Sequence, residues 1–292
     1  MGEIANAGTW TLGCQVRPWV LEWGKEAFPR RLPEAVAGLF AAGFTGFETR
    51  LDYLPLDDQA GFAAALPRGA TLCGAHVGGK WWSPEGAASI PGIVARAAHL
   101  PTLGCRRLVV SMGALPPGAT ADDLSRFVDT LGHLGRACRE VDVAVVAHNH
   151  ASELADDARV LTAIVERCAP EDVALGPDLG WVAHVGLDLS AFIRRFGPRI
   201  AYLHLRDVTA IGGAGRFVEV GRGVLDYPAI LATLAEVGYV GWLVAESETQ
   251  AEGYSAGGAD VIARAEARGL RAALAAAGLT SRLRERPEAG AA

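Results

Sequence analysis

The chain alternates short runs rich in Val, Ile and Leu with longer Ala- and Leu-rich stretches whose apolar positions recur at helical spacing. Eight runs have the length and composition of strands: 9–16, 45–50, 70–77, 107–112, 143–150, 173–178, 200–207 and 241–247. Helical spacing is clearest over 32–42, 121–139, 156–168, 227–237 and 258–276. Pro33 stands near a helix start, Asp122 and Asp123 in a first turn, and Gly43 and Gly238 just past an end. Such alternation implies parallel strands joined by crossover helices, because a tight hairpin cannot connect parallel neighbours. Strand starts fall about 33 residues apart, close to the roughly 30 residues of one crossover unit. Eight units of this size close most naturally as a single (β/α)8 TIM barrel, an α/β fold, with an open doubly wound sheet as the alternative. Residues 1–279 are assigned to this one barrel, and 280–292, polar with Pro287 and Gly290, to a disordered C-terminal tail.

Composition narrows the function. The 292 residues are 50% hydrophobic and carry 27 basic against 33 acidic side chains, a net charge of −6. That excludes a disordered chain and lacks the basic footprint that most nucleic-acid binders use. A small neutral or metal-held ligand is favoured, and no nucleic acid is expected as partner. The five cysteines are odd in number, scattered and without a C-x-x-C pair, so they read as reduced packing residues of a cytoplasmic protein. No basic-then-apolar leader opens the chain and no run is long enough to span a bilayer, so no membrane association is expected. Longer inserts follow the third strand (78–90) and the seventh (208–225). The second holds Gly212-Gly213-Ala214-Gly215, which reads as a flexible connector because it lacks the setting and the Lys-Ser/Thr of a phosphate loop.

In a barrel of this kind the chemistry sits at the C-terminal ends of the strands. The fifth run ends His148-Asn149-His150 and continues to Glu153, the sixth ends at Asp178, the seventh carries His204 and the eighth Glu246. Glu153, Asp178, His204 and Glu246 are 25, 26 and 42 residues apart, which returns all four to one rim. Three carboxylates in a low-dielectric cleft need a counter-cation, since mutual repulsion and desolvation both oppose their ionisation. One divalent metal ion resolves the conflict. Three oxygens and one nitrogen suit a fairly hard ion, Mn2+ first, with Co2+, Mg2+ or Zn2+ as alternatives. Taken singly, each of these residues reads more readily as a hydrogen-bonded structural group than as a ligand.

The segments His148-Asn149-His150-Ala151-Ser152-Glu153, Pro177-Asp178-Leu179-Gly180-Trp181, His204-Leu205-Arg206-Asp207, Gly221-Arg222-Gly223-Val224-Leu225-Asp226-Tyr227 and 238–246 together resemble the xylose isomerase-like sugar phosphate isomerase/epimerase superfamily. Within it they are most similar to the inosose (2-keto-myo-inositol) dehydratase branch. The resemblance is tight over 141–248 and looser before, where 42–48 matches the family's second-strand pattern. It implies that Glu153, Asp178, His204 and Glu246 bind one divalent metal. Two positions depart from the pattern: Val146 stands where many members place the first metal Glu, and Arg206 replaces the lysine of a His-x-Lys-Asp motif. A guanidinium cannot serve as a proton donor, so Arg206 is expected among the substrate contacts.

A metal at this rim would bind a carbonyl and an adjacent hydroxyl and stabilise the charge that develops when the neighbouring C–H is deprotonated. The resemblance makes Glu153 and Glu246 the acid and base, and His150 is a third candidate. The expected reaction is proton abstraction on a keto-sugar or keto-cyclitol, ending in isomerisation or epimerisation, or in dehydration. Further substrate contacts are expected from His148, Glu48, Trp19, Lys80, Trp81 and His184. Indole faces suit the C–H face of a sugar, although the same tryptophans read equally as loop packing or as contacts of a homo-oligomer. Glu48 reads equally as a partner of Arg50. Two other functions stay open: an apurinic endonuclease-like repair enzyme of the same superfamily, which would need more early-strand ligands than Glu48 and His76, and a non-catalytic sugar-binding or partner subunit.

Overall fold

The structure is a computed structural model and describes residues 9–247 and 254–284. The elements run β1 (Trp10–Gln15), α1 (Arg17–Trp23), α2 (Phe28–Ala42), β2 (Gly46–Arg50), α3 (Gln59–Ala65), β3 (Thr71–Gly78), α4 (Pro84–Ala97), β4 (Arg107–Ser111), α5 (Ala121–Arg139) and β5 (Ala144–His148). The second half continues α6 (Ala155–Arg167), β6 (Val173–Leu175), α7 (Leu179–His184), α8 (Leu189–Phe196), β7 (Leu203–Leu205), β8 (Asp207–Val208), β9 (Phe217–Val218), α9 (Tyr227–Glu236), β10 (Gly241–Ala245) and α10 (Ala259–Ala276). Eight parallel strands lie in the order β6-β5-β4-β3-β2-β1-β10-β7. Bridges from Leu175 to Ile200 and from Asp178 to His204 join the two outer strands and close the barrel.

All eight strands expected from the hydrophobic pattern are present. Helix α2 starts at Phe28, ahead of the expected 32, with Pro29 in its first turn and Pro33 inside it. Gly43 ends that helix in the left-handed conformation (φ 108°) that glycine adopts without strain. The expected start of α6 instead contains a left-handed turn over Asp156, Asp157 and Ala158, and Arg195 holds the Asp157 carboxylate at 2.8 Å. Thr280–Arg282 form a 3-10 turn and Leu283 bridges to Trp10; the rest of the expected tail, from 285, lies outside the described residues. Among the described residues no helix is long and apolar enough to cross a membrane.

Side chains alternate along each strand between the helix layer and the barrel axis. The outward set, including Leu12, Phe47, Leu108, Val110, Val145, Leu203, Leu205 and Leu243, is buried beneath the helices. The inward set is layered. At the bottom the Trp242 indole fills the axis, and glycine at 46 makes that possible, since a Cβ there would lie 2.3 Å from the ring. Above it, Cys73, Val109, Val146, Tyr202 and Val244 form a small separate core. One step further toward the C-terminal ends the layer turns polar: Gln15, Glu48, His76, Ser111, His148, Asp178, His204 and Glu246.

The long insert after β7 is organised rather than loose. The Asp207 carboxylate accepts backbone N–H bonds from Val208 (2.8 Å), Gly221 (3.0 Å), Gly223 (3.0 Å) and Leu225 (3.1 Å). The glycine-rich tip lies back on α7 through Gly212 N–H to the Ala183 carbonyl, 3.2 Å. From α10, buried Glu266 accepts the Val220 N–H (2.9 Å) and the Ser247 hydroxyl (2.6 Å), tying this insert to the segment that follows β10. Burial pushes the Glu266 carboxyl up to about 8.

Two outcomes follow from this packing. Gly46→Ala forces a methyl group into the Trp242 ring and costs about 1–3 kcal/mol by overpacking; urea unfolding measures it, and unchanged stability would show that the ring yields. Between pH 4.5 and about 8 the unfolded chain releases the Glu266 proton while the folded chain keeps it, so stability falls as pH rises through that window. Glu266→Gln removes that slope. Its melting temperature relative to the parent rises across the window and levels off above it, and a pH-independent difference would contradict the assignment.

Candidate functional site

The polar layer forms the floor of a cavity of about 600 Å3 at the C-terminal mouth of the barrel. Gln15, Glu48, His76, Ser111, His148 and Glu246 line it from five neighbouring strands and the segment after β10, and His150 reaches it from the loop after β5. Each sits there because its strand turns it inward one step beyond the apolar core.

His204 is the centre of the floor and is fully buried. Its Nε2 lies 2.7 Å from Glu48 Oε2, and its Nδ1 lies 2.9 Å from both Glu246 Oε2 and His148 Nδ1. Glu48 is fixed by the Gln15 amide (2.7 Å) and the Tyr202 hydroxyl (2.8 Å). Burial works against the charge on His204, but the two flanking carboxylates hold its pKa at about 10. Burial, reinforced by charged His204, holds His148 well below the ordinary histidine range, so His148 is neutral. Burial likewise pulls His76, 2.8 Å from the Ser111 hydroxyl, down to about 4.

The second oxygen of Glu246 touches the Arg206 guanidinium, whose Nε stands 2.8 Å from Asp178 Oδ2. Burial opposes the charge on Glu246, yet Arg206 and His204 keep its carboxyl well below the usual range. Arg206 is itself buried, 2% exposed, with its guanidinium 4.5 Å over the Phe217 ring. Its stem runs past Gly180, where a Cβ would lie 2.2 Å from the Arg206 Cγ.

A divalent ion fits one spot in this network. One ring nitrogen each of His148 and His204 and a Glu246 carboxylate oxygen lie within 4.8 Å of one another, and all three residues are buried. Two imidazole nitrogens at 2.9 Å cannot both direct a proton at each other. Glu246 Oε2, close as it is to His204, has no aligned hydrogen-bond donor among the described residues. A cation satisfies all three donors at once, and two imidazoles with one carboxylate are an ordinary first-row metal set that leaves positions open.

Of the four ligands expected from sequence, His204 and Glu246 belong to this cluster. Asp178 is buried beside it, with Oδ2 on Arg206 and Oδ1 accepting the Trp181 N–H (3.1 Å) at the start of α7. Glu153 turns into its own 3-10 turn, where its oxygens accept the His150 N–H and the Ser152 hydroxyl, each at 2.7 Å. His148, expected to touch substrate, is the third clustered donor. His150 opens onto the cavity with 40% of its side chain exposed, edge-on to His148 (4.9 Å) and Trp181 (5.8 Å).

The other expected contacts divide. Glu48 is in the cavity and pairs with His204, while Arg50 pairs with Asp52. Trp19 and Trp81, expected on the rim, are buried and do not line the cavity. Trp19 packs on α2 at Gly38, and the Trp81 indole donates to the Ser111 carbonyl (3.0 Å), so their apolar area supports the wall from behind. Lys80 is exposed and outside the lining. His184 packs against the rings of Trp181 and Phe217, and Arg206 is taken up by carboxylates. Gln15, Ser111 and Tyr202 are additions, and His76 joins the cavity. All four are polar-tipped residues on the inward face of their strands, the signal that singled out His204 and Glu246.

The sequence profile of the xylose isomerase-like TIM barrel family matches residues 36–274. The chain is similar to an inosose dehydratase of Geobacillus kaustophilus, 30% identical over 145 residues, 44% of this chain and 47% of that protein. The chain thus spans about half the length of that relative. An inosose dehydratase of Geobacillus thermodenitrificans is 24% identical over 243 residues, 74% of this chain and 81% of that one. Among solved structures, an L-ribulose 3-epimerase superposes with a TM-score of 0.70 at 19% identity, covering 93% of this chain and 98% of that one; at that identity the likeness speaks for the fold alone. With the profile covering most of the barrel, the chain belongs to the xylose isomerase-like TIM barrel family.

Proposed function

We propose that this protein is a divalent-metal-dependent enzyme that removes a proton next to the carbonyl of a keto-sugar or keto-cyclitol, ending in epimerisation or isomerisation, or in dehydration. The observation that carries this reading is the convergence of His148, His204 and Glu246 on one buried point at the floor of a cavity of about 600 Å3, a size suited to a small polyhydroxylated ligand. The inosose dehydratase relatives point to the same substrate class. A divalent ion bound to the three donors, Mn2+ being the first to supply, lends Lewis acidity to a carbonyl oxygen and thereby acidifies the neighbouring C–H.

His150 is the residue best placed to take that proton. It lines the cavity, it is the most open of the clustered imidazoles, and its Nδ1 has the Glu153 carboxylate 4.0 Å behind it. The Glu153 carboxylate also accepts the His150 backbone N–H at 2.7 Å, which fixes the turn that presents the ring. Glu153 therefore acts through His150. Glu48 is fixed by Gln15, Tyr202 and His204, and it lines the cavity floor. His76, held neutral, and Ser111 offer hydrogen bonds to substrate hydroxyls. Expulsion of a β-hydroxyl after proton removal gives dehydration, and return of the proton to another face or carbon gives epimerisation or isomerisation.

Solvent exchange tests the common half-reaction. With Mn2+ supplied, a panel of keto-inositols and ketoses in deuterated water is expected to show deuterium entering next to the carbonyl of at least one member; no exchange across the panel overturns the reading. His150→Ala is expected to retain the ion by elemental analysis while exchange falls about 10²- to 10⁴-fold, the usual contribution of a general base. Near-parental exchange in that variant would remove His150 from the role.

A further inference from the structure

The wall of the cavity on the β1 and β2 side carries more positive charge than its own acids match, in a chain whose net charge is −6. We propose that the substrate bears an anionic group, a phosphate ester or a carboxylate, which seats against Arg17, Lys25 and Arg50 while its carbonyl end faces the floor. The proposal rests on the proton-abstraction reading above and adds the class of substrate to it.

Arg50 stands two residues beyond Glu48 on β2, so it belongs to the same inward side, one step nearer the mouth. Arg17 follows Gln15 at the same interval, as the first residue of α1. Lys25 comes from the turn after α1, where Gly24 takes a positive φ of 81° and directs the chain away from the helix. All three line the cavity. Val20, Leu21 and Tyr53 line it too and add apolar area suited to the C–H surface of a sugar.

The positive charge of this wall is weakly matched. Among the described residues lining the cavity, Asp52 is the one carboxylate off the floor. It is shared between Arg50 (3.3 Å) and Arg96 (3.8 Å), and Arg96 is tied to the Leu51 carbonyl as well (2.9 Å). The Arg50 and Asp52 side chains are 43% and 59% exposed, and a pair so open to water is weak. Arg50 can therefore exchange Asp52 for a ligand while Arg96 stays with that carboxylate. Lys25 has no ion pair among the described residues. Glu22 of α1 is turned to the start of α10, where it accepts the Ala259 N–H (2.9 Å). Nor does the floor draw on these cations, since His204 lies between Glu48 and Glu246, and Arg206 holds the second Glu246 oxygen. Two guanidinium forks suit the paired oxygens of a phosphate or carboxylate, and the ammonium adds a point charge. A concave wall of one sign also concentrates ligands of the other.

Calorimetry on the protein supplied with Mn2+ compares fructose with fructose 6-phosphate and with 5-ketogluconate. At least one charged ligand is expected to bind about tenfold or more tightly than fructose, with the advantage shrinking as salt is raised. Whichever of the two gains tells a phosphate ester from a carboxylate. In Lys25→Gln/Arg50→Gln the advantage is expected to fall about fivefold or more. Lys25→Gln alone, a change at an exposed position, loses part of it and covers a double variant that folds poorly. No advantage of either charged ligand over fructose, or an advantage that survives intact in a folded variant and so belongs to the ion, overturns the proposal. Deuterium exchange keeps the two readings apart. A charged ligand that binds through this wall while no member of the panel takes up deuterium fails the proton-abstraction reading alone. Exchange on neutral ketoses without any gain from charge fails the wall alone.

Discussion

Buried charge compensation governs the mouth of this barrel. Glu48, His204, Glu246, Arg206 and Asp178 form one chain of alternating sign that passes from β2 across β7 and β10 to the end of β6. Each member is nearly or fully inaccessible to water, and an isolated charge in that setting would cost several kcal/mol. The surrounding hydrogen bonds become intelligible as means of keeping the chain intact. Gln15 and Tyr202 fix one end, and Asn149 and the α7 N-terminus fix the other.

The apolar layers underneath make that compensation strong. Trp242 and the ring of Cys73, Val109, Val146, Tyr202 and Val244 seal the barrel axis, so the network sits on a dry floor where electrostatic interactions are little screened. The helices and the anchored insert after β7 close the sides, with Asp207 gathering four backbone N–H groups and Glu266 joining two rim segments. A site so held needs little reorganisation when charge develops on a bound ligand, which is the property that favours carbanion-type chemistry.

Much of this was legible in the chain. Hydrophobic alternation placed the eight strands, and the rule that chemistry gathers at strand ends located Asp178, His204 and Glu246. The fifth strand shows where the rule needs a second condition. Counting by twos from Val146 reaches His148 as its inward end, whereas Glu153 lies past the strand, where its direction is set by the 3-10 turn it caps. The same parity finds Gln15, Glu48 and Ser111 on β1, β2 and β4, whereas His76 faces inward because the register of β3 shifts by one residue beside Cys73. Other features were not readable. Trp19 and Trp81 look like rim aromatics because loops are assumed to expose what they carry, but their large apolar surfaces fill gaps behind the wall. The attachment of Arg206 to Asp178 and Glu246 depends on how a flexible side chain threads between strands.

The absence of a side chain at 180 has a bearing on how this corner of the barrel can change. Any larger residue there collides with the Arg206 stem, so neither position is free to drift while the other stays put. Related chains should therefore vary the two in concert, and a bulkier residue aligned with Gly180 would mark a sequence whose barrel mouth has dispensed with the guanidinium and balances its acids by other means.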